Sequence, residues 1–179
     1  MIMIIEILEY PNPILHKVAK RVEKIDDSIL ELLDDMYETM QANNGAGIAA
    51  PQIGVSLQVA IVDIEKPRGD ESPDYTHIGK FELINPQIID YDGDIEWEEG
   101  CLSVPNFWFT MKRHRRITVQ YLNRKGKEEI LKAEGLLAVA IQQELDHLDG
   151  KLIIDNVSRL KRDLYLRKLL KEKKREKQK

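Results

Sequence analysis

The chain of 179 residues has a single cysteine, so no disulfide can form within it. It has no apolar run near the roughly 20 residues that a membrane-spanning helix needs. The opening MIMIIEILEYPNP has no basic leader, long apolar stretch or small-residue cleavage site, and is not read as a signal peptide. No internal repeat is present. These absences point to a cytoplasmic protein without a membrane partner. What remains is 42% hydrophobic, enough for one domain with one core.

The net charge of −4 hides an asymmetry. From Arg159 to Lys179 there are 11 Lys and Arg against 3 Asp and Glu, a local +8 that leaves −12 for the rest. An acidic body with a basic tail suits a polyanionic partner such as RNA, and equally a solvated helix end. The organisation expected is residues 1–158 as one domain and 159–179 as its basic C-terminal helix.

Ile4 to Leu8 reads as a short strand, ended by the turn Tyr10-Pro11-Asn12-Pro13. Asp26, Asp27 and Ser28 are helix-capping residues ahead of Ile29, Leu33, Met36 and Met40, which recur at helical spacing until Asn43, Asn44 and Gly45. Leu57 to Asp63 reads as a buried strand, followed by the polar loop KPRGDESPDYTHIGK. Phe81 to Asn85 and Ile88 to Tyr91 read as strands split by Pro86, with a turn at Asp92-Gly93-Asp94. Arg116 to Asn123 and Glu128 to Ala133 form a hairpin around Arg124-Lys125-Gly126. An apolar helix covers Ala133 to Leu148, and a basic one the last 20 or so residues. Strands in the middle and helices at the flanks predict an α+β fold of small antiparallel or mixed sheets around a central helix, with a C-terminal helix.

Three segments carry polar residues worth notice. On 136-LLAVAIQQELDHLDG-150, Gln143 and His147 lie four apart on one helical face with Glu144 beside them. This is close to H-E-x-x-H, in which two His grip a metal and Glu handles protons. A polar patch on an amphipathic helix explains it as well. In 98-EEGCLSVP-105, Cys101 is a candidate zinc or iron ligand or a buried thiol. In 45-GAGIAAPQ-52, two Gly and three Ala let backbone approach a ligand, or simply connect a helix to a strand. The last segment is no phosphate loop, lacking Gly-Lys-Ser/Thr.

Together, in this order and spacing, the segments resemble the bacterial-type peptide deformylases, whose motifs are G-x-G-x-A-A-x-Q, E-G-C-L-S and Q-H-E-x-D-H. The resemblance spans about residues 4 to 165. It implies hydrolysis of the N-formyl group of formyl-methionyl nascent peptides by a metalloenzyme. The metal ligands would be Cys101 and His147, with Gln143 where the family has its first His. The metal would be one divalent ion, ferrous iron first and zinc or nickel as alternatives. Glu144 would move the proton, and Gln52 with the backbone N–H of Leu102 would stabilise the oxyanion. Ala46 and Gly47 would pair with substrate backbone, and Leu136 and Val139 would line the methionine pocket. The basic C-terminal helix resembles the extension that some members use to dock on the ribosome.

Two departures stand out. Gln143 offers a neutral carboxamide in place of an imidazole, a poorer donor to iron or zinc. Asn106 replaces a common Gly, ahead of Phe107-Trp108-Phe109, which would shape the cleft rim or simply pack. His114 is a conceivable substitute ligand, while His16 and His77 read as surface residues. The alternative to a working hydrolase is an impaired deformylase-like protein that binds peptide N-termini or the ribosome. A zinc protease of the H-E-x-x-H class leaves Cys101 and Gln52 without a role.

Overall fold

Two tight turns make the middle of the chain into the frame of the molecule. Strands β3 (Gly79–Cys101) and β4 (Val104–Leu122) form one long antiparallel hairpin closed by Leu102 and Ser103, and β4 turns again into β5 (Glu128–Glu134). With β1 (Gly47–Ala49) and β2 (Val59–Ile64) they build one five-stranded sheet in the order β1-β2-β3-β4-β5, each neighbouring pair antiparallel. The computed structural model describes residues 3–65 and 78–176. Most of the expected polar loop at 66–80, with His77, lies outside the described residues.

Helix α1 (Asp27–Ala42) starts at its expected cap, where Asp26 Oδ1 accepts from the Ser28 N–H at 3.2 Å. Its stripe of Ile29, Leu33, Met36 and Met40 is buried against Ile48 of β1 and Ile61 of β2. Full burial of a side chain such as Leu33 contributes roughly 1.5–3 kcal/mol. Helix α2 (Leu136–Leu148) starts at Leu136 rather than Ala133, because Ala133 and Glu134 still belong to β5, opposite Ile117 and Arg116. Buried Leu137, Ala138 and Ile141 seat α2 on Val62, Leu83, Ile117 and Val119, so the central helix lies on the sheet as expected. The basic tail forms helix α3 (Arg159–Glu176).

Three expectations are corrected. Ile4 to Leu8 joins no sheet, because its amides bond elsewhere: Ile5 N–H to Thr39 Oγ1 at 2.9 Å and Leu8 N–H to the Gln52 carbonyl at 2.7 Å. The segment is a strap over α1 and the β1 loop. Pro86 does not split a strand. The ladder shifts register between Ile84 and Gln87, and Asn85, at φ 51°, clasps the Val22 N–H and carbonyl at 2.8 and 2.9 Å. Asp92-Gly93-Asp94 is no turn either, since β4 supplies partners straight through it (Asp92 with Arg116, Asp94 with His114) while Gly93 takes φ 65°.

Candidate active site and metal centre

The hairpin tip, the last turns of α2 and the loop after β1 converge on one point. Cys101 ends β3, and its Sγ lies 3.2 Å from His147 Nε2. Gln52 directs Nε2 at the same sulfur (3.8 Å) and at Ser103 Oγ (3.2 Å), while its Oε1 accepts from the Ala49 N–H at 2.8 Å. Gln143, one turn before His147, donates Nε2 to the Gly100 carbonyl at 2.8 Å. Its carbonyl end is therefore turned away from that bond. Glu144 is buried and its Oε2 has no hydrogen-bond partner.

A cavity of about 580 Å³ opens beside these groups. Cys101, Gln52, Leu102, Gln143, Glu144, Ala46, Gly47, Leu136 and Val139 all line it, and His147 is the one expected site residue that does not. The absence of a side chain at Gly47 has a steric cause. A Cβ there would stand against the Glu144 carboxylate, 2.9 Å from its Cδ. Trp108 is 64% exposed at the cavity mouth, whereas Phe107 is buried below it, so that aromatic run both shapes the rim and packs.

Burial dominates the electrostatics. It pushes the Cys101 thiol up to about 12, with the Glu144 charge adding to the effect. It raises the Glu144 carboxyl to about 8, helped by Glu99 and Asp146 and opposed by Arg113. It lowers His147 to about 4, with Arg113 contributing, so the imidazole is neutral near pH 7 and free to act as a ligand.

Sequence reasoning missed the group that braces this geometry. Arg113 of β4, almost fully buried, grips Glu99 in a fork (Nε–Oε1 2.7 Å, Nη2–Oε2 2.9 Å) and reaches Asp146 Oδ2 with Nη1 at 2.6 Å. Glu99 is two residues from Cys101, and Asp146 is next to His147. Burial alone would pull the guanidinium down, but the two carboxylates hold it well above its usual value. Gln142 adds a second clasp, exchanging bonds with the His114 N–H and carbonyl at 3.0 and 2.8 Å. Glu99 and Asp146 lie inside the motifs, but only strand pairing brings Arg113 to them. The His114 ring stacks on Tyr91 at 4.0 Å and does not line the cavity, so it is no substitute ligand. His16 is exposed, its Nδ1 3.2 Å from the Gly150 carbonyl.

The donor set suits a divalent metal. A thiol sulfur and a neutral imidazole nitrogen touch, an unpartnered carboxylate oxygen is buried nearby, and a carboxamide shares the helix face. Among the described residues no three His, Cys, Asp or Glu converge as ligands.

Residues 4–163 match the family model for polypeptide deformylase. The peptide deformylase of Syntrophobacter fumaroxidans is 47% identical over 92% of this chain and 93% of its own length. That of Nautilia profundicola is 41% identical over 96% of this chain and 98% of its own. The crystal structure of peptide deformylase from Ehrlichia chaffeensis superposes with a TM-score of 0.91 at 38% identity, covering 97% of this chain and 99% of that one. The same enzyme in complex with actinonin gives 0.88 at 39%, over 96% and 98%. The relatives favour the hydrolase over a non-catalytic binding protein. No helix among the described residues is long and apolar enough to cross a membrane. This chain therefore belongs to the polypeptide deformylase family, metal-dependent hydrolases that remove the N-formyl group from nascent peptides.

Proposed function

We propose that Cys101, His147 and the Gln143 carbonyl oxygen hold one divalent ion, ferrous iron in the cell with zinc or nickel as substitutes, and that the 580 Å³ cavity receives formyl-methionyl peptides. The observation that carries this is the 3.2 Å approach of sulfur and imidazole beside a buried, unpartnered carboxylate. When bound, such an ion supplies Lewis-acid polarisation and makes water acidic enough to ionise near neutral pH. The chain's residues do the rest. Ala46 and Gly47 pair their backbone with the substrate, and Leu136 and Val139 receive the methionine side chain. Gln52 Nε2 and the Leu102 N–H donate to the formyl oxygen as it gains charge. Glu144 takes the proton from the attacking water and delivers it to the nitrogen as the C–N bond breaks, leaving formate and a free α-amine. Without the cation, burial holds the Glu144 carboxyl above its usual range, and the charge of the bound cation favours the ionised form that accepts the proton. Residues 1–158 form the catalytic domain, and the basic helix beyond serves as its contact with ribosomal RNA in the cytoplasm.

The test is turnover of formyl-Met-Ala-Ser by protein loaded anaerobically with ferrous iron or nickel. Formate release by wild type, and its loss in Glu144→Gln with metal retained, is expected. No formate from the loaded wild type would overturn the reading.

A further inference from the structure

We infer that Tyr165 of α3 holds one wall of the peptide cleft in place and is a positioning residue for formyl-peptide binding. The inference rests on the deformylase reading and deepens it. Just past the hairpin tip, Cys101 pairs with Val104, but the next pair back is Gly100 with Trp108. Residues 105–107 therefore bulge out of the ladder, and Asn106 at φ 57° lies in the left-handed region. Pro105 and Phe107 from this bulge line the cavity. Outside the ladder, the bulge needs another partner to fix its shape.

Helix α3 supplies that partner. Tyr165 Oη donates to the Pro105 carbonyl at 2.8 Å, and its ring packs edge-on against Phe107 with centroids 5.3 Å apart. Lys161, one turn earlier, stands 5.8 Å from the Phe107 ring centroid. Lys173 pairs with Glu9, another cavity-lining residue, whose neighbour Tyr10 donates its N–H to the Ser103 carbonyl at 2.8 Å. The helix thus grips the cleft wall at both sides of the hairpin tip. Tyr165 does not line the cavity, so it acts through Pro105 and Phe107.

The test is Tyr165→Phe, which removes only the hydroxyl. A lost hydrogen bond of ordinary strength corresponds to about a fivefold effect. KM for formyl-Met-Ala-Ser should rise about fivefold with kcat within twofold of wild type. The Kd of the product Met-Ala-Ser should rise in parallel, and bound metal should stay the same. Tyr165→Leu, which also removes the contact with Phe107, should weaken both further. Unchanged KM and Kd in both variants, with only a lower melting temperature, would reduce Tyr165 to a structural role and overturn the inference. The Kd comparison does not depend on turnover, so a wild type that binds product without releasing formate sinks the deformylase reading alone. A wild type that binds no peptide sinks both.

Discussion

Cys101 and His147 are 46 residues apart in the chain, yet their Sγ and Nε2 atoms touch at 3.2 Å. The two differ in what they must give up to bind a cation. With its thiol pushed to about 12, Cys101 carries a proton at every physiological pH. His147, held near 4, carries none above pH 5 or so.

Metal uptake should therefore release one proton from Cys101 at pH values from 6 to about 11. Below about 8 a second should follow, as the cation favours ionised Glu144. Affinity then rises with pH, about tenfold per unit above 8 and more steeply below. Calorimetry of nickel or zinc binding in buffers of different ionisation enthalpy counts these protons. Uptake with no proton released would mean that Cys101 does not coordinate.

Gln143→His should tighten metal binding by about 10–100-fold or more, since changes one shell further out already reach that range. Turnover at limiting metal should rise with it. Competition against a chromogenic chelator measures the first effect. An unchanged affinity would place residue 143 outside the coordination sphere.

For metal-free protein, the sign of the Glu144 contribution follows from its raised pKa. The folded state keeps a proton that the unfolded chain loses between 4.5 and about 8. That contribution to stability is complete below pH 4.5 and is lost as pH rises through 8. Glu144→Gln removes the dependence, so its stability relative to wild type should grow from pH 5 to 8, by an amount on the order of a few kcal/mol. Urea denaturation with a chelator present reads the difference. His147, with its lowered pKa, works in the opposite direction between 6.5 and about 4 in both proteins and cancels from the comparison.

Arg113→Met leaves Glu99 and Asp146 without their shared cation in a buried site. Breaking such a group by removing one partner costs about 3–5 kcal/mol. Because the brace joins the strand bearing Cys101 to the helix bearing His147, metal affinity should fall as well. Arg113→Lys keeps the charge but cannot reproduce the fork on Glu99, so it should lie between wild type and Arg113→Met. Equal stability and metal retention in all three proteins would dismiss the brace.

Gly47→Ala introduces a methyl group where the Glu144 carboxylate already stands. Relief requires Glu144 to move, at a cost of about 1–3 kcal/mol. Formate release should drop more than stability, because the displaced group is the proposed proton carrier. Turnover measured beside thermal unfolding separates the two, and full activity would show that the carboxylate can shift without consequence.

Much of this molecule was legible along the chain. The α1 stripe from Ile29 to Met40, the hairpin around residues 124–126 and the basic terminal helix follow local periodicity and turn chemistry, and each is present. The three motifs name the residues that line the cavity and His147 beside it, because spacing along α2 places Gln143 and His147 on one face before any packing occurs.

Other features depended on distant partners. The strap at Ile4–Leu8 looked like a strand because its composition is that of one, but its amides are claimed by Thr39 and Gln52. β3 runs through Pro86 and Gly93 because β4 supplies pairing that outweighs two local breakers. Arg113 has no motif and no telling neighbours, and only the register of β4 against β3 brings it to Glu99.

The amino-acid order by itself determined the elements with strong local period and the list of chemically competent side chains. Only the tertiary structure decided which of them touch, what braces them and how far burial moves their proton affinities. Periodicity is a property of neighbours in the chain, whereas contact and desolvation arise only when segments far apart in sequence pack together.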